Sequence, residues 1–146
     1  MKPIAEKLVR SYQTKECWEH YEKSIELIAD LKQINKTVGM ISNFDTRLHA
    51  LLADINLPKV DFVVTSYEVG FEKPDPQIFN HALKLGGKNV QPSECLHIGN
   101  ELEKDFNGAT NAGWSAVLIN SEDKVEPSFA SIEDFYQKLK TKEINL

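Results

Sequence analysis

The chain has 146 residues, 41% hydrophobic and 27% charged, which is the size and balance of one ordinary domain with enough apolar material for a packed core. Its net charge of −5 and pI near 5.4 argue against a broad phosphate-backbone footprint, which needs clustered Lys and Arg, so no nucleic-acid partner is expected. Cys17 and Cys95 form neither a CxxC pair nor a disulfide framework, no apolar run nears the ~18 residues of a membrane span, and the opening MKPIAEKLVR carries charges where a signal peptide needs an apolar stretch. The expectation is a soluble protein of a reducing compartment, cytoplasmic or nuclear, with no membrane partner.

Taken in chain order, Ile4, Leu8 and Tyr12 recur at helical spacing, and a longer amphipathic stripe follows with Ile25, Leu27, Ile28, Leu31 and Ile34. Thr37 to Ile41 (TVGMI) reads as a buried strand, and Asp45 as the cap of a helix bearing Leu48, Leu51, Leu52 and Ile55. Asp61 to Thr65 (DFVVT) is a second strand. Asp75-Pro76 has the chemistry of a helix start, Ile78, Phe79, Ala82 and Leu83 supply an apolar face, and Gly86-Gly87 can end it. Cys95 to Ile98 (CLHI) reads as a third strand, Leu102, Phe106 and Ala109 as a helix stripe, and Ala116 to Ile119 (AVLI) as a fourth strand. Glu122 to Pro127 looks like a solvated loop, and Ser131 with Asp134 three residues on signals a last helix carrying Phe135, Tyr136 and Leu139.

Short, wholly apolar strands alternating with amphipathic helices predict an α/β fold, a parallel sheet with helices on both faces. The expected strand order runs through the strands ending at Thr65, Ile41, Ile98 and Ile119. Ligands of such sheets bind beyond the carboxyl ends of the strands. Ser42 and Asn43 stand there with a hydroxyl and an amide able to hold a phosphate oxygen, and Lys73 brings a positive charge from a nearby loop. Asn100, Glu101 and Asp105 follow the third strand with the oxygen donors that Mg²⁺ prefers. The same residues have plainer readings: turn and cap chemistry for Ser42-Asn43, a solvated charge for Lys73, and helix-dipole complementarity for the acidic run.

Three strings carry a resemblance. Gly39-Met40-Ile41-Ser42-Asn43-Phe44-Asp45, Glu72 to Phe79 (EKPDPQIF) and His97 to Asp105 (HIGNELEKD) resemble, in order and spacing, the second, third and fourth motifs of the haloacid dehalogenase (HAD) hydrolase superfamily, over roughly residues 20 to 120. SNFDTRL, SYEVGFEKPDPQIF and AGWSAVLI are similar to the haloacid dehalogenase-like hydrolase domain-containing protein 3 group, which includes an insect rhythmically expressed relative. The resemblance implies a HAD-like, Rossmannoid core over residues 21–146, with residues 1–20 a remnant of a helical cap or an added helix. It implies a Mg²⁺-dependent phosphatase acting on a small phosphorylated molecule: Ser42 and Asn43 binding the phosphoryl oxygens, Lys73 neutralising their charge, and Asp105, Asn100 and Glu101 around the metal. Asn100 departs from the family's Asp and gives up a full negative charge, so weak metal binding is expected.

A larger departure is the family's first motif, DxDx(T/V), whose first carboxylate is the nucleophile and whose second is the acid and base. No such string occurs; Asp30, Asp45 and Asp54 come nearest and none follows an apolar strand. The resemblance therefore implies a chain truncated at its N-terminus, with little or no hydrolysis, and lacking a central strand between those ending at Ile41 and Ile98. Such a chain is a fragment or alternative product of an enzyme, a short paralogue with a phosphate-binding or protein-interaction role, or half of a domain completed by a second chain or segment. A receiver-like signalling domain fits less well, since it needs an acidic cluster near its start and a phospho-accepting Asp at a strand end.

Overall fold

The computed structural model describes Ile4, Ser11, Tyr12, Thr14 and residues 17–123 and 125–143. Most of the expected helix over the first 15 or so residues, and with it much of the proposed 1–20 unit, lies outside the described residues. Helix α1 (Ser24–Gln33) leads into strand β1 (Gly39–Ser42), helix α2 (Arg47–Asp54), strand β2 (Phe62–Thr65) and the single turn α3 (Ser66–Val69). After a loop come helix α4 (Pro76–Gly86), strand β3 (Leu96–Gly99), a π-helical turn (Leu102–Asn107), the short α5 (Gly108–Asn111), strand β4 (Ser115–Ile119), strand β5 (Ser128–Phe129) and helix α6 (Ile132–Lys140).

Local chemistry explains most of these boundaries. The Asp75 carboxylate accepts from Gln77 N–H and Pro76 opens α4, so the cap and the first turn are both satisfied. Ser131 Oγ accepts from Asp134 N–H at the start of α6. The Asp45 carboxylate accepts from Arg47 N–H at the start of α2, the capping bond expected of it, and also pairs with the Arg47 guanidinium; Thr46 between them has helical backbone angles and makes no side-chain cap bond. Gly39 leaves room for the Phe62 ring of the neighbouring strand, since a Cβ there would lie 2.1 Å from that ring and the ring would have to move.

Every strand pairing is parallel, but the strands divide into two sheets. β1 pairs with β2, Gly39 opposite Phe62 through Ser42 opposite Thr65; β3 pairs with β4, and β4 with β5. The expected single sheet is corrected on this point: among the described residues β1 and β3 are not hydrogen-bonded neighbours. β5 is an addition, formed just after the expected 122–127 loop and before the last helix; Leu118 N–H and Asn120 N–H donate to Pro127 and Phe129 C=O.

Apolar cores lie on both faces. On one, Val64, Ile78, Phe79, Ala82, Ala109 and Ala116 pack with Ile41 and Phe62, so that α4 and α5 reach across both sheets. On the other, Leu27, Val117, Ile119, Ile132, Phe135 and Tyr136 join α1 and α6 to β3 and β4 through Leu96 and Ile98. Burying each large side chain of this kind contributes roughly 1.5–3 kcal/mol. Tyr136 O–H also donates to the Asp30 carboxylate (2.6 Å), which Lys140 Nζ approaches, tying α6 to α1.

Candidate phosphate site

The strand ends meet around Lys73. Asn43, the residue after β1, brackets the main chain of Lys73: its Nδ2 donates to Lys73 C=O (2.9 Å) and its Oδ1 accepts from Lys73 N–H (2.7 Å). This pair of bonds fixes the loop before α4 to the end of β1, and so places Lys73 next to Ser42-Asn43 across thirty residues of chain. Lys73 Nζ then donates to Asp105 Oδ1 at 2.5 Å, with both side chains largely buried.

Asp105 reaches this point because the chain after β3 winds as a π-helical turn, in which both Asp105 N–H and Phe106 N–H donate to Glu101 C=O. Its carboxylate folds back under β3, where Oδ2 accepts from Asn100 N–H and Glu101 N–H (3.0 Å each) and Oδ1 also meets His97 Nε2 at 3.0 Å. Gly99 makes room, since a Cβ there would sit 2.2 Å from the Asp105 side chain. Burial by itself would raise the Asp105 pKa; the hydrogen bonds from His97 and Lys73, the Lys73 charge and the Glu101 N–H outweigh it and hold the carboxyl well below the usual range.

Ser42, Asn43, Lys73 and Asp105 are thus gathered at one end of the strands. No hydrogen bond engages the Ser42 hydroxyl or the Asn100 side chain among the described residues. Glu101 does not join the cluster: its carboxylate pairs with Lys104 on the exposed side of the turn. His97 was not among the residues singled out from the sequence. Two places before Gly99 on the same strand, it faces the same side, and that period-two spacing from a strand-end glycine was the available signal. Its ring packs edge-on to Phe79 at 5.3 Å. A second contact group lies at the end of β2, where the fully buried Thr65 hydroxyl donates to the Glu68 carboxylate, which His49 Nε2 also meets at 3.0 Å.

The donor set does not fit a resident Mg²⁺. A hard cation of this kind wants about six oxygens in a regular octahedron. Among the described residues there is no group of three or more His, Cys, Asp or Glu placed to hold a metal, and the one buried carboxylate is already met by Lys73, His97 and two backbone N–H groups.

The match to a family model, haloacid dehalogenase-like hydrolase, covers residues 2–113. The chain belongs to this family. Among HAD-like relatives it is 37% identical to the rhythmically expressed gene 2 protein of Drosophila melanogaster, over 90% of this chain and 58% of that one. It is 32% identical to haloacid dehalogenase-like hydrolase domain-containing protein 3 of Bos taurus, over 86% of this chain and 50% of that protein. Glyceraldehyde 3-phosphate phosphatase of Methanothermobacter thermautotrophicus is 40% identical over 70% of the chain and 45% of the relative. The chain therefore spans about half the length of the curated relatives it matches. The HAD fold is shared with the HAD phosphatase from Thermococcus onnurineus, with a TM-score of 0.79 and 23% identity over 95% of this chain and 66% of that one. The HAD-hydrolase YfnB from Bacillus subtilis, described as bound to magnesium, gives a TM-score of 0.71 and 24% identity over 82% and 55%. Among the described residues, no helix is long and apolar enough to cross a membrane.

Proposed function

We propose that residues 1–146 form the phosphate-handling part of a phosphatase-type HAD-like hydrolase that acts on small phosphorylated molecules. The observation that carries this reading is the Asn43 bracket on the main chain of Lys73, which fixes that lysine to the strand end where Ser42 stands, with its ammonium on Asp105. A phosphoryl group there would take hydrogen bonds from Ser42 and charge neutralisation from Lys73, the two things phosphoryl transfer most needs from a protein. Asp105 positions the ammonium rather than attacking, because its carboxylate is held by four donors. In a Mg²⁺-dependent relative the metal supplies further charge stabilisation; with the donors found in this chain, saturable Mg²⁺ binding is expected only in the millimolar range or weaker, on the order of the weakest oxygen-ligand sites.

By themselves these residues should bind phosphate with little or no turnover, since no carboxylate in the cluster is free to form a covalent intermediate. That same observation favours a second reading, a phosphate-binding module derived from the HAD fold with no hydrolytic role. The test is an assay of p-nitrophenyl phosphate and a panel of sugar and nucleotide phosphates with Mg²⁺, with the Ser42→Ala, Lys73→Ala double variant as blank, beside a titration with inorganic phosphate. Phosphate binding lost in Lys73→Met, without turnover above the blank, is the expected result. Equal phosphate binding by wild type and Lys73→Met would overturn the site, and turnover well above the blank would overturn the inactive reading.

A further inference from the structure

We infer that His97 is a positioning residue for phosphate binding: by donating to one oxygen of Asp105 it limits that carboxylate's hold on Lys73 and leaves ammonium donors for a phosphate group, an assignment that rests on the phosphate reading of this site. The hydrogen-bond count at Asp105 carries it. An ionised carboxylate offers about four acceptor positions, two on each oxygen. Oδ2 is filled by Asn100 N–H and Glu101 N–H at 3.0 Å each. Oδ1 is met by Lys73 Nζ at 2.5 Å and by His97 Nε2 at 3.0 Å, so these two side chains share a single oxygen. Because the carboxyl is held ionised it can only accept, and Nε2 must carry the hydrogen. Nothing else fixes the tautomer, since Nδ1 has no partner among the described residues.

A lysine ammonium has three donors. With His97 on the shared oxygen, Asp105 has one position left for Lys73, whose single acceptor among the described residues this is, and the other ammonium donors remain for a phosphate at this strand end. Charge works in the same direction. The imidazole N–H draws on the negative charge of Oδ1, so less of it competes with a phosphate for Lys73, and all three side chains are largely buried, where such a contact weighs more than in water. The strand supplies the geometry: His97 and Gly99 lie on one side of β3, and the missing Cβ of Gly99 lets Asp105 rest against the strand within reach of the ring. His97 also packs edge-on against Phe79 at 5.3 Å, which an apolar ring would do equally well. What an apolar ring would lack is the N–H.

Two substitutions separate the donor from the ring. His97→Phe keeps a ring against Phe79 and deletes the N–H; His97→Gln deletes the ring and keeps an amide N–H for Asp105. Each 146-residue variant, shown to be folded by urea unfolding, is titrated with inorganic phosphate beside wild type, with Lys73→Met as the blank. The ammonium nitrogen signal of Lys73 is followed by NMR in phosphate-free buffer. His97→Phe should weaken phosphate binding about fivefold, the scale of one net hydrogen bond, and shift the Lys73 signal, whereas His97→Gln should stay within about twofold of wild type and keep the signal in place. Equal binding by His97→Phe and wild type would overturn the assignment, as would equal losses in both variants, which would make ring packing the cause. A wild type that binds no phosphate defeats the phosphate reading, and the Lys73 signal is independent of that result: unmoved in His97→Phe, it overturns the hold of His97 on Lys73. One measurement needs no variant. Nitrogen NMR of wild type should find the His97 hydrogen on Nε2, and a hydrogen on Nδ1 alone would overturn the assignment.

Discussion

The two sheets differ in how completely each is enclosed. β4, with a neighbour on either edge, is buried from Ala116 to Ile119, and Leu118 is fully inaccessible. β1, with a neighbour on one edge, has an exposed Gly39 and is otherwise half-buried, although it too lies beside the apolar face of α4. The sequences of the two strands, GMIS and SAVLI, do not predict so large a contrast. What differs between these two strands is pairing, on both edges for β4 and on one for β1; β2, also paired on one edge, is buried at Val64 and Thr65 but only half-buried at Phe62 and Val63. The chemistry nevertheless gathers at the junction of the two halves, where Asn43 from one and Asp105 from the other both hold Lys73.

The largest effect should come from that junction. Asp105→Asn removes one member of a nearly buried ion pair and leaves Lys73 and His97 without their carboxylate, so stability should fall by roughly 3 kcal/mol, near the low end for breaking such a pair. Urea unfolding of the two proteins measures it, and a loss below about 1 kcal/mol, the scale of an exposed pair, would mean that the junction does not join the halves.

Next comes a pair of truncations that compares the sheets directly. Leu118→Ala in the enclosed strand should cost about 2–5 kcal/mol, and Ile41→Ala in the half-enclosed strand nearer 1 kcal/mol, because less packing is lost where the flank is open. Equal costs would show that β1 is as well packed as β4.

The pH dependence is a finer probe. Because the Asp105 pKa is depressed in the folded protein, its contribution is fully present above the ordinary aspartate pKa of about 4 and is lost as pH falls from there toward the folded value. The stability gap between wild type and Asp105→Asn should therefore level off above about pH 5 and narrow below about pH 4. A gap that widens on acidification would contradict the assigned ion pair.

The smallest effect is local. Ser131→Ala removes the hydroxyl that caps α6, and thermal unfolding should register a loss of about 1 kcal/mol. A cost well above that would place Ser131 in more than a cap.

Much of this was legible in the residues. Periodicity located the four principal strands to within two residues and the helix starts at Asp75-Pro76 and Ser131, because caps and apolar spacing are properties of neighbouring residues. The strings around Ser42, Lys73 and Asp105 lie at strand ends that the Asn43–Lys73 and Lys73–Asp105 bonds bring together. Asp45 meets the first-turn N–H of α2 as its place before the apolar stripe suggests, while its pairing with the Arg47 guanidinium has no signal in periodicity.

Tertiary structure alone decided the rest. The π-helical turn that folds Asp105 beneath Gly99, the enlistment of His97, the turning of Glu101 toward Lys104 and the absence of β1–β3 pairing all depend on which backbone groups meet across long stretches of chain. The amino-acid sequence determined that this is a parallel α/β chain of the HAD-like family. Only the packed chain decided that its carboxylate is spent on holding a lysine and that its sheet is divided in two, because hydrogen-bond partners are chosen by proximity in space and periodicity reports only proximity along the chain.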